Sequence, residues 1–158
     1  MNATYTGLGA IPMSNVVIAG GFDPIHAGHI DHIQKAAKLG YLTVILATDE
    51  QLIRKKGYAL LPYRDREAVL NAICGVMGVI PSIDKDNTVA ETLRTLKPDI
   101  FAKGGDRTPD NMPQSEIDIC AEIGCRIIYG CGDLLNSSTN LVKRVVSNEK
   151  KGENYINE

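Results

Sequence analysis

Several features that define other classes of protein are missing from this sequence. No run approaches the ~18–20 consecutive apolar residues of a membrane-spanning helix, and Met1–Ser14 lacks the charged and apolar segments of a secretory signal. Lys and Arg number 17 against 19 Asp and Glu, so no overall basic field would attract nucleic acid. We therefore expect a cytoplasmic protein whose partners include neither a membrane nor a nucleic acid.

The cysteine, glycine and histidine patterns make three further classes less favoured. The four cysteines form no CxxC pair, which favours reduced thiols over a zinc framework. The turn that begins at Gly20 does not match GxGxxG, so a dinucleotide-binding fingerprint is absent. His26, His29 and His32 form an HxxHxxH run, but the third position has rotated off the helix face of the first two. A histidine zinc site is the weaker interpretation, and we predict no metal bound by the protein itself.

What the sequence does contain is an alternation of short apolar segments with helical patterns, in a chain of 158 residues that suits one compact domain. This predicts a doubly wound α/β domain with a parallel five-stranded sheet over residues 15–148. A flexible N-terminal tail (1–14) and a polar C-terminal tail (149–158) would flank it. The basic segment 51–61 contains Gly57 and is predicted as an irregular loop. The predicted strands are 15–19, 42–47, 76–80, 99–102 and 126–129, and the predicted helices are 29–39, 62–74, 88–96, 114–124 and 137–146.

The segment from Asn15 to Gly40 carries the clearest functional pattern. Gly20 and Gly21 let the backbone leave the first strand sharply, and the following helix points its free N–H groups and positive dipole end at the turn. This arrangement suits a phosphate. His26 and His29 lie at the mouth of the turn, separated only by small residues that leave room for a ligand.

Three other predicted strands are followed by charged or hydroxyl-bearing loops that would meet at the same edge of the sheet. They contain Lys55 and Lys56, the run from Lys103 to Asp106, and the hydroxyl triplet Ser137–Thr139. Each has a plainer alternative: a solvated charge run, a tight turn, or an ordinary helix cap. Asp23, before Pro24, could likewise be only a turn-forming residue, and the two histidines could be only helix caps.

Taken together, these residues resemble the HxGH nucleotidyltransferase superfamily, the cytidylyltransferase-like group. The resemblance covers Asn15 to about Val146 and is carried by His26-Ala27-Gly28-His29 within GGFDPIHAGH and by the hydroxyl triplet. The run from Thr48 to Glu50, with Lys55-Lys56 and Arg66, looks like glycerol-3-phosphate cytidylyltransferases. The KGGD loop and SSTNLVKR look more like the adenylyltransferase half of ADP-heptose synthesis enzymes.

The resemblance implies a Rossmann-like fold and transfer of a nucleotidyl group from a nucleoside triphosphate to a small phosphorylated acceptor, with release of pyrophosphate. Mg²⁺ would be carried by the triphosphate, and the enzyme would be a homodimer. It implies catalytic roles for His26, His29, Lys55 and Arg66, and contact of Lys56 with the acceptor phosphate. The residues implied in nucleotide binding are Gly20, Gly21, Phe22, Asp23, Gly28, Lys103, Gly105, Asp106, Ser137, Ser138 and Thr139.

The donor and the acceptor are left open at this point. The KGGD loop and the last helix favour ATP over CTP, and the expected acceptor is a phosphorylated sugar, polyol or amino alcohol. An adenylyltransferase of the phosphopantetheine type fits GGFDP and the hydroxyl triplet but not the KGGD loop. A regulatory module that binds a nucleotide without turnover is a third interpretation, because Tyr41 stands where both subfamilies usually carry an acidic residue after Leu-Gly.

Overall fold

The computed structural model describes residues 13–105, 107–133 and 137–152, with side chains through residue 147. Asp106, most of the predicted N-terminal tail and the end of the C-terminal tail therefore lie outside the described residues. Five strands form one parallel sheet in the order β3-β2-β1-β4-β5. The strands are β1 (Ser14–Gly20), β2 (Gly40–Leu46), β3 (Val76–Pro81), β4 (Ile100–Ala102) and β5 (Arg126–Ile128).

Helices cover both faces of this sheet, as predicted for a doubly wound fold. The α-helices are α1 (Ala27–Ala37), α2 (Asp49–Lys56), α3 (Tyr63–Asn71), α4 (Ala90–Leu96), α5 (Gln114–Ile123) and α6 (Ser138–Gly152), and a 3₁₀ turn spans Pro109–Asn111. The strand order reverses between β1 and β4, and the crevice at such a reversal is where open α/β sheets bind ligands. The predicted fold class is confirmed.

The core is divided by the sheet because successive strand residues point to opposite faces. In β1, Val16 and Ile18 belong to the cluster that buries Ile33 of α1 and Leu70 of α3. Val17 faces the other way, into the cluster with Phe101, Leu93 of α4 and Ile119 of α5. Both faces of β1 are therefore shielded from solvent, which explains why its apolar residues follow one another without a polar interruption.

The segment predicted as an irregular loop at 51–61 is the place where the sequence interpretation was wrong. Residues 49–56 form α2, capped at its start by Thr48 and Gln51, whose side chains each bond the other's backbone N–H at 3.2 and 2.9 Å. Gly57 has a φ of 87° and ends the helix in the left-handed conformation. Most other boundaries move by one to three residues; α1 begins at Ala27 with His26 as its N-cap, and α6 continues to Gly152, beyond the predicted domain end.

Candidate active site

A cleft of about 450 Å³ opens at the carboxyl ends of the central strands. It brings together residues from five separate parts of the sequence: the four whose convergence was predicted, and the segment 86–89. The predicted residues that line it are Gly20, Gly21, Phe22, Gly28, His26, His29, Lys55, Lys103, Gly105, Ser137, Ser138 and Thr139. Asp23, Lys56 and Arg66 do not line it.

The two histidines form a stacked pair at the start of α1. Their ring centroids are 3.7 Å apart with an interplanar angle of 23°, and Phe22 packs against His29 at 4.9 Å. The backbone N–H of His26 donates to Nδ1 of His29 at 3.3 Å. Because Nδ1 accepts, a neutral His29 carries its proton on Nε2 and can donate it to a ligand.

The environment keeps this pair uncharged at neutral pH. Burial, assisted by the charges of His26 and His32, lowers the pKa of His29 to about 4. Burial also lowers the pKa of His26. Among the described residues, Nδ1 of His26 is a buried side-chain atom with no hydrogen-bond partner. A buried polar atom without a partner costs stability, and it is a feature expected where a ligand is to bind.

Two glycines lie in the cleft wall where an added side chain would meet a neighbour. A Cβ on Gly21 would come within 2.6 Å of Cδ2 of Leu52, and a Cβ on Gly105 would overlap the carbonyl oxygen of Gly132. The contact at Gly105 is with backbone and leaves no space for a side chain, whereas at Gly21 the end of the Leu52 side chain would have to move. The chain segments after β1 and β4 can therefore approach their neighbours, and a ligand, more closely than other residues would allow.

The start of α6 closes the cleft opposite the histidines. Ser137 caps this helix, since its Oγ accepts from the backbone N–H of Asn140 at 3.1 Å. Oγ of Ser138 donates to the carbonyl oxygen of Pro24 at 2.8 Å, which joins the helix to the histidine loop across 114 positions of sequence. The free N–H groups and positive dipole end of α6 are thus held beside His26 and His29.

Lys55 and Lys56 have different surroundings despite being neighbours. Lys55 is exposed and lines the cleft. Lys56 Nζ instead bonds the carboxylate of Asp23 at 2.8 Å and its carbonyl oxygen at 2.9 Å. Asp23 also accepts from the backbone N–H groups of Leu60 and Leu61, at 2.8 and 2.7 Å. Burial alone would raise the pKa of Asp23, but these hydrogen bonds outweigh it and lower that pKa. The pair joins the segment after α2 to the histidine loop, and the expectation that Lys56 and Asp23 contact a ligand stays a prediction.

Arg66 is also bound within the protein. Its side chain is fully buried and donates to the carbonyl oxygens of Leu61, Gly21 and Ala47 at 2.8–3.0 Å. It further pairs with Asp49 Oδ1 at 2.6 Å. These bonds join the ends of β1 and β2 to the loop before α3. In the structure the donors of Arg66 hold the loops that carry the cleft, and its predicted catalytic contact stays a prediction.

Lys103 lines the cleft and also forms a buried ion pair with Glu116. Its Nζ lies 3.2 Å from Glu116 Oε2 and 4.3 Å from the centroid of the Phe101 ring. Burial lowers the pKa of Lys103, against the attraction of Glu116. The other oxygen of Glu116 accepts from the backbone N–H of Val89 at 3.2 Å. Lys103 is thereby linked to the segment 86–89, which forms another part of the wall.

Several residues of the wall were not predicted from the sequence. Segment 86–89 follows β3, so the rule that ligands bind beyond the carboxyl ends of strands would have indicated it. Gln51 was not predicted because it lies in a segment of charged residues. Its side-chain amide donates to Ser82 Oγ and to the carbonyl oxygen of Asp84, at 2.9 and 2.8 Å. The other unpredicted polar residues of the wall are His32, Arg107 and Asp133.

The described residues contain neither a metal-binding cluster nor a membrane-spanning helix. His32 Nδ1 bonds the carbonyl oxygen of Cys131. Within residues 13–105, 107–133 and 137–147, no group of three His, Cys, Asp or Glu is placed to hold a metal ion. No helix of the described chain is both long and apolar enough to span a bilayer.

A parallel α/β sheet with a histidine pair and a hydroxyl-rich helix start at its switch point defines a protein of the HxGH nucleotidyltransferase type. The model of the cytidylyltransferase-like family matches residues 17–131. The chain belongs to this family, which confirms the predicted superfamily.

Relatives agree with this assignment. The FAD synthase of Methanopyrus kandleri is 32% identical over 154 residues, covering 89% of this chain and 98% of that protein. The D-beta-D-heptose 1-phosphate adenylyltransferase of Bordetella bronchiseptica is 32% identical over 113 residues, covering 69% and 68%. The bifunctional protein HldE of Syntrophotalea carbinolica is 33% identical, but this chain spans only 27% of its length.

A solved structure shows the same fold. The lipopolysaccharide core biosynthesis protein from Thermoplasma volcanium superposes with a TM-score of 0.65 at 24% identity, covering 77% of this chain and 98% of that one.

Proposed function

We propose that this protein is an adenylyltransferase that transfers AMP from ATP to the phosphate of a small phosphate monoester and releases pyrophosphate. The observation that carries the proposal is the placement of the neutral His26–His29 pair beside the start of α6, fixed by the bond from Ser138 to Pro24. Such an arrangement offers uncharged N–H donors on one side of a triphosphate and helix amides on the other. The names of the Methanopyrus and Bordetella relatives support ATP as the donor.

The chemistry needs no protein nucleophile. An oxygen of the acceptor phosphate attacks the α-phosphorus, the bond to the oxygen bridging the α- and β-phosphorus breaks, and pyrophosphate leaves with the electron pair. The acceptor is already an oxyanion, so no proton has to be removed by a base. Rate enhancement then depends on holding the reactants in line and on donors aimed at the charge that develops.

The cleft residues supply these donors in the proposed mechanism. His29 donates from Nε2 to the α-phosphate in the transition state, with His26 beside it. The backbone N–H groups at the start of α6 and the hydroxyls of Ser137 and Thr139 bind the β- and γ-phosphates, while the hydroxyl of Ser138 stays bonded to Pro24. Lys55 supplies positive charge on the acceptor side. Mg²⁺ enters with the nucleotide as part of the substrate, since oxygen atoms of phosphate are its preferred ligands. Arg66, Asp23 and Lys56 position the loops.

Two acceptor classes are compatible with the relatives. The sequence-based expectation, a phosphorylated sugar, polyol or amino alcohol, corresponds to the name of the Bordetella protein. The Methanopyrus protein is named for a flavin product. Either class presents the same phosphate monoester to the cleft, so the transfer step is common to both.

Release of pyrophosphate from each of ATP, CTP, GTP and UTP, with a panel of phosphate monoesters, tests the proposal. We expect release with ATP that requires an acceptor and falls by ~10²–10³ in His29→Ala, the usual cost of losing one such donor. Gln34→Ala, at an exposed position of the same helix, is the matched control and should retain full activity. Release with CTP alone would overturn adenylyl transfer. No release with any pair would overturn the enzyme and favour a nucleotide-binding module.

A further inference from the structure

A second cavity lies beside the cleft, between the segment after α2 and the first turns of α6. Its volume is about 330 Å³, within the range of small-ligand sites. Thr139 lines both this cavity and the cleft, so a ligand can extend from one into the other. The lining residues are Tyr58, Thr139, Val142, Lys143, Val146 and Ser147.

The wall of this cavity is mainly apolar. Val142 and Val146 are one turn apart on α6 and present a continuous aliphatic surface. Tyr58 adds an aromatic ring, and Nζ of Lys56 lies 4.5 Å from the centroid of that ring. Lys56 is itself bound to Asp23, so the tyrosine is positioned relative to the histidine loop. The aromatic surface therefore has a defined position beside the cleft.

Few polar groups remain to meet a polyhydroxylated ligand there. Ser147 Oγ already donates to the carbonyl oxygen of Arg144 at 2.9 Å, so the main polar groups that remain are Thr139 at the border, the phenolic hydroxyl of Tyr58 and the ammonium group of Lys143. A buried sugar hydroxyl without a partner is unfavourable. A flat apolar ring system, by contrast, could stack on Tyr58, cover the two valines and keep one polar edge near Lys143.

We propose that this cavity binds the body of the acceptor, and that the acceptor is a phosphate monoester with a flat, largely apolar ring system rather than a sugar or polyol phosphate. The inference rests on the proposed function, because the acceptor phosphate must reach the cleft across Thr139. The coverage of the relatives agrees with this choice: the match to the FAD synthase extends over 98% of that protein, whereas the match to the heptose enzyme covers 68% of that one.

Riboflavin 5′-phosphate is the probe, with glycerol 3-phosphate and glucose 1-phosphate as comparators. Binding is followed by quenching of flavin fluorescence, independently of turnover, and acceptor KM is measured by pyrophosphate release with ATP. Val146→Asp places a charge in the cavity wall, and Val145→Asp places the same charge on a neighbouring position that does not line it; the two side chains are similarly exposed, at 47% and 59%. We expect Val146→Asp to weaken flavin binding and raise the acceptor KM by at least ~10-fold, since the charge must stay hydrated. The KM for ATP should be unchanged in both variants, and Val145→Asp should bind flavin as the wild type does.

A second set of variants tests the cavity without changing α6. Tyr58→Ala should weaken flavin binding, Tyr58→Phe should preserve it, and Leu60→Ala, at an exposed position outside the cavity, should have no effect. Equal binding by Val146→Asp, Tyr58→Ala and their controls would overturn the inference.

The acceptor panel separates failure of this inference from failure of the proposed function. Pyrophosphate release with the sugar or polyol phosphates but not with riboflavin 5′-phosphate would overturn the inference and leave adenylyl transfer standing. Flavin binding that is lost in Val146→Asp, without release from any acceptor, would overturn the enzyme and confirm only the cavity as a flavin site.

Discussion

Oγ of Ser138 donates a 2.8 Å hydrogen bond to the carbonyl oxygen of Pro24, and this contact joins the two halves of the cleft. One half is the turn that carries the histidine pair, and the other is the start of α6. Neither half alone surrounds a triphosphate. The bond therefore sets the distance between the N–H donors of the histidines and those of the helix.

Removing this hydroxyl should affect activity more than stability. In Ser138→Ala we expect kcat/KM to fall by ~10–10²-fold because the helix start is no longer fixed against the histidine turn. The free energy of unfolding should fall by only ~1 kcal/mol, the usual worth of one such hydrogen bond. Both are measured on the same preparation, by pyrophosphate release and urea unfolding. Thr95→Ala, which removes an exposed hydroxyl bonded at 2.9 Å to its own helix, is the control. A similar loss of activity in the control would contradict the role of Ser138.

The central unit of the fold could be predicted because its signals are local. Val16–Ile18 form a continuous apolar strand, the glycines after it mark a turn, and the HxGH residues open a helix. The hydroxyl triplet was predicted at the start of the last helix for the same reason. Helix α2 was also encoded locally, by Thr48, Gln51 and Gly57, but the glycine was interpreted as part of a loop rather than as the end of a helix.

The partners of the buried charges could not be predicted, since they depend on residues far apart in sequence. Arg66 bonds Gly21 across 45 positions and Asp49 across 17, and nothing in the local pattern distinguishes it from an exposed arginine. Lys56 and Asp23 are likewise 33 positions apart. Tertiary packing decides whether a charged residue near a site bonds a ligand or bonds other residues of the protein.

The histidine pair predicts a pH dependence of stability. The pKa of His29 is lowered to about 4 in the folded protein from 6.5, chiefly by burial, so between these pH values the unfolded chain binds more protons. Stability from this group is complete above the unfolded pKa and is lost as the pH falls toward the folded one, by at most ~3 kcal/mol. Urea unfolding between pH 4 and 7.5 should show a steeper loss for the wild type than for His29→Gln. Parallel curves would show that His29 titrates normally in the folded state.

Arg66 should behave as a structural residue. Replacing it with alanine leaves three carbonyl groups around the buried guanidinium site without their donor, and an unsatisfied buried group typically costs ~1–3 kcal/mol. It also removes the partner of Asp49, whose side chain is 41% exposed. We expect Arg66→Ala to unfold at much lower urea concentration. Arg66→Lys should be intermediate, because an ammonium group cannot reproduce the geometry of the guanidinium. Exposed Arg64→Ala is the control on the same helix and should be near neutral. A fully stable Arg66→Ala with only a raised acceptor KM would instead support the predicted role of Arg66 as a ligand contact.

Gly105 tests whether the wall of the cleft depends on close backbone approach. A Cβ at this position would overlap the carbonyl oxygen of Gly132, whereas a Cβ at Gly78, in β3, would have no heavy atom within 4 Å. Gly105→Ala must therefore separate the segments after β4 and β5, which moves Lys103 and Gly132 relative to the nucleotide. We expect the KM for ATP to rise by ~10-fold or more, since small displacements of positioning groups have effects of this order. Gly78→Ala should leave KM unchanged and be neutral or slightly stabilising, because alanine restricts the unfolded chain. Unchanged ATP binding in Gly105→Ala would mean that this wall can shift without consequence, and that the nucleotide is held mainly by the histidine turn and α6.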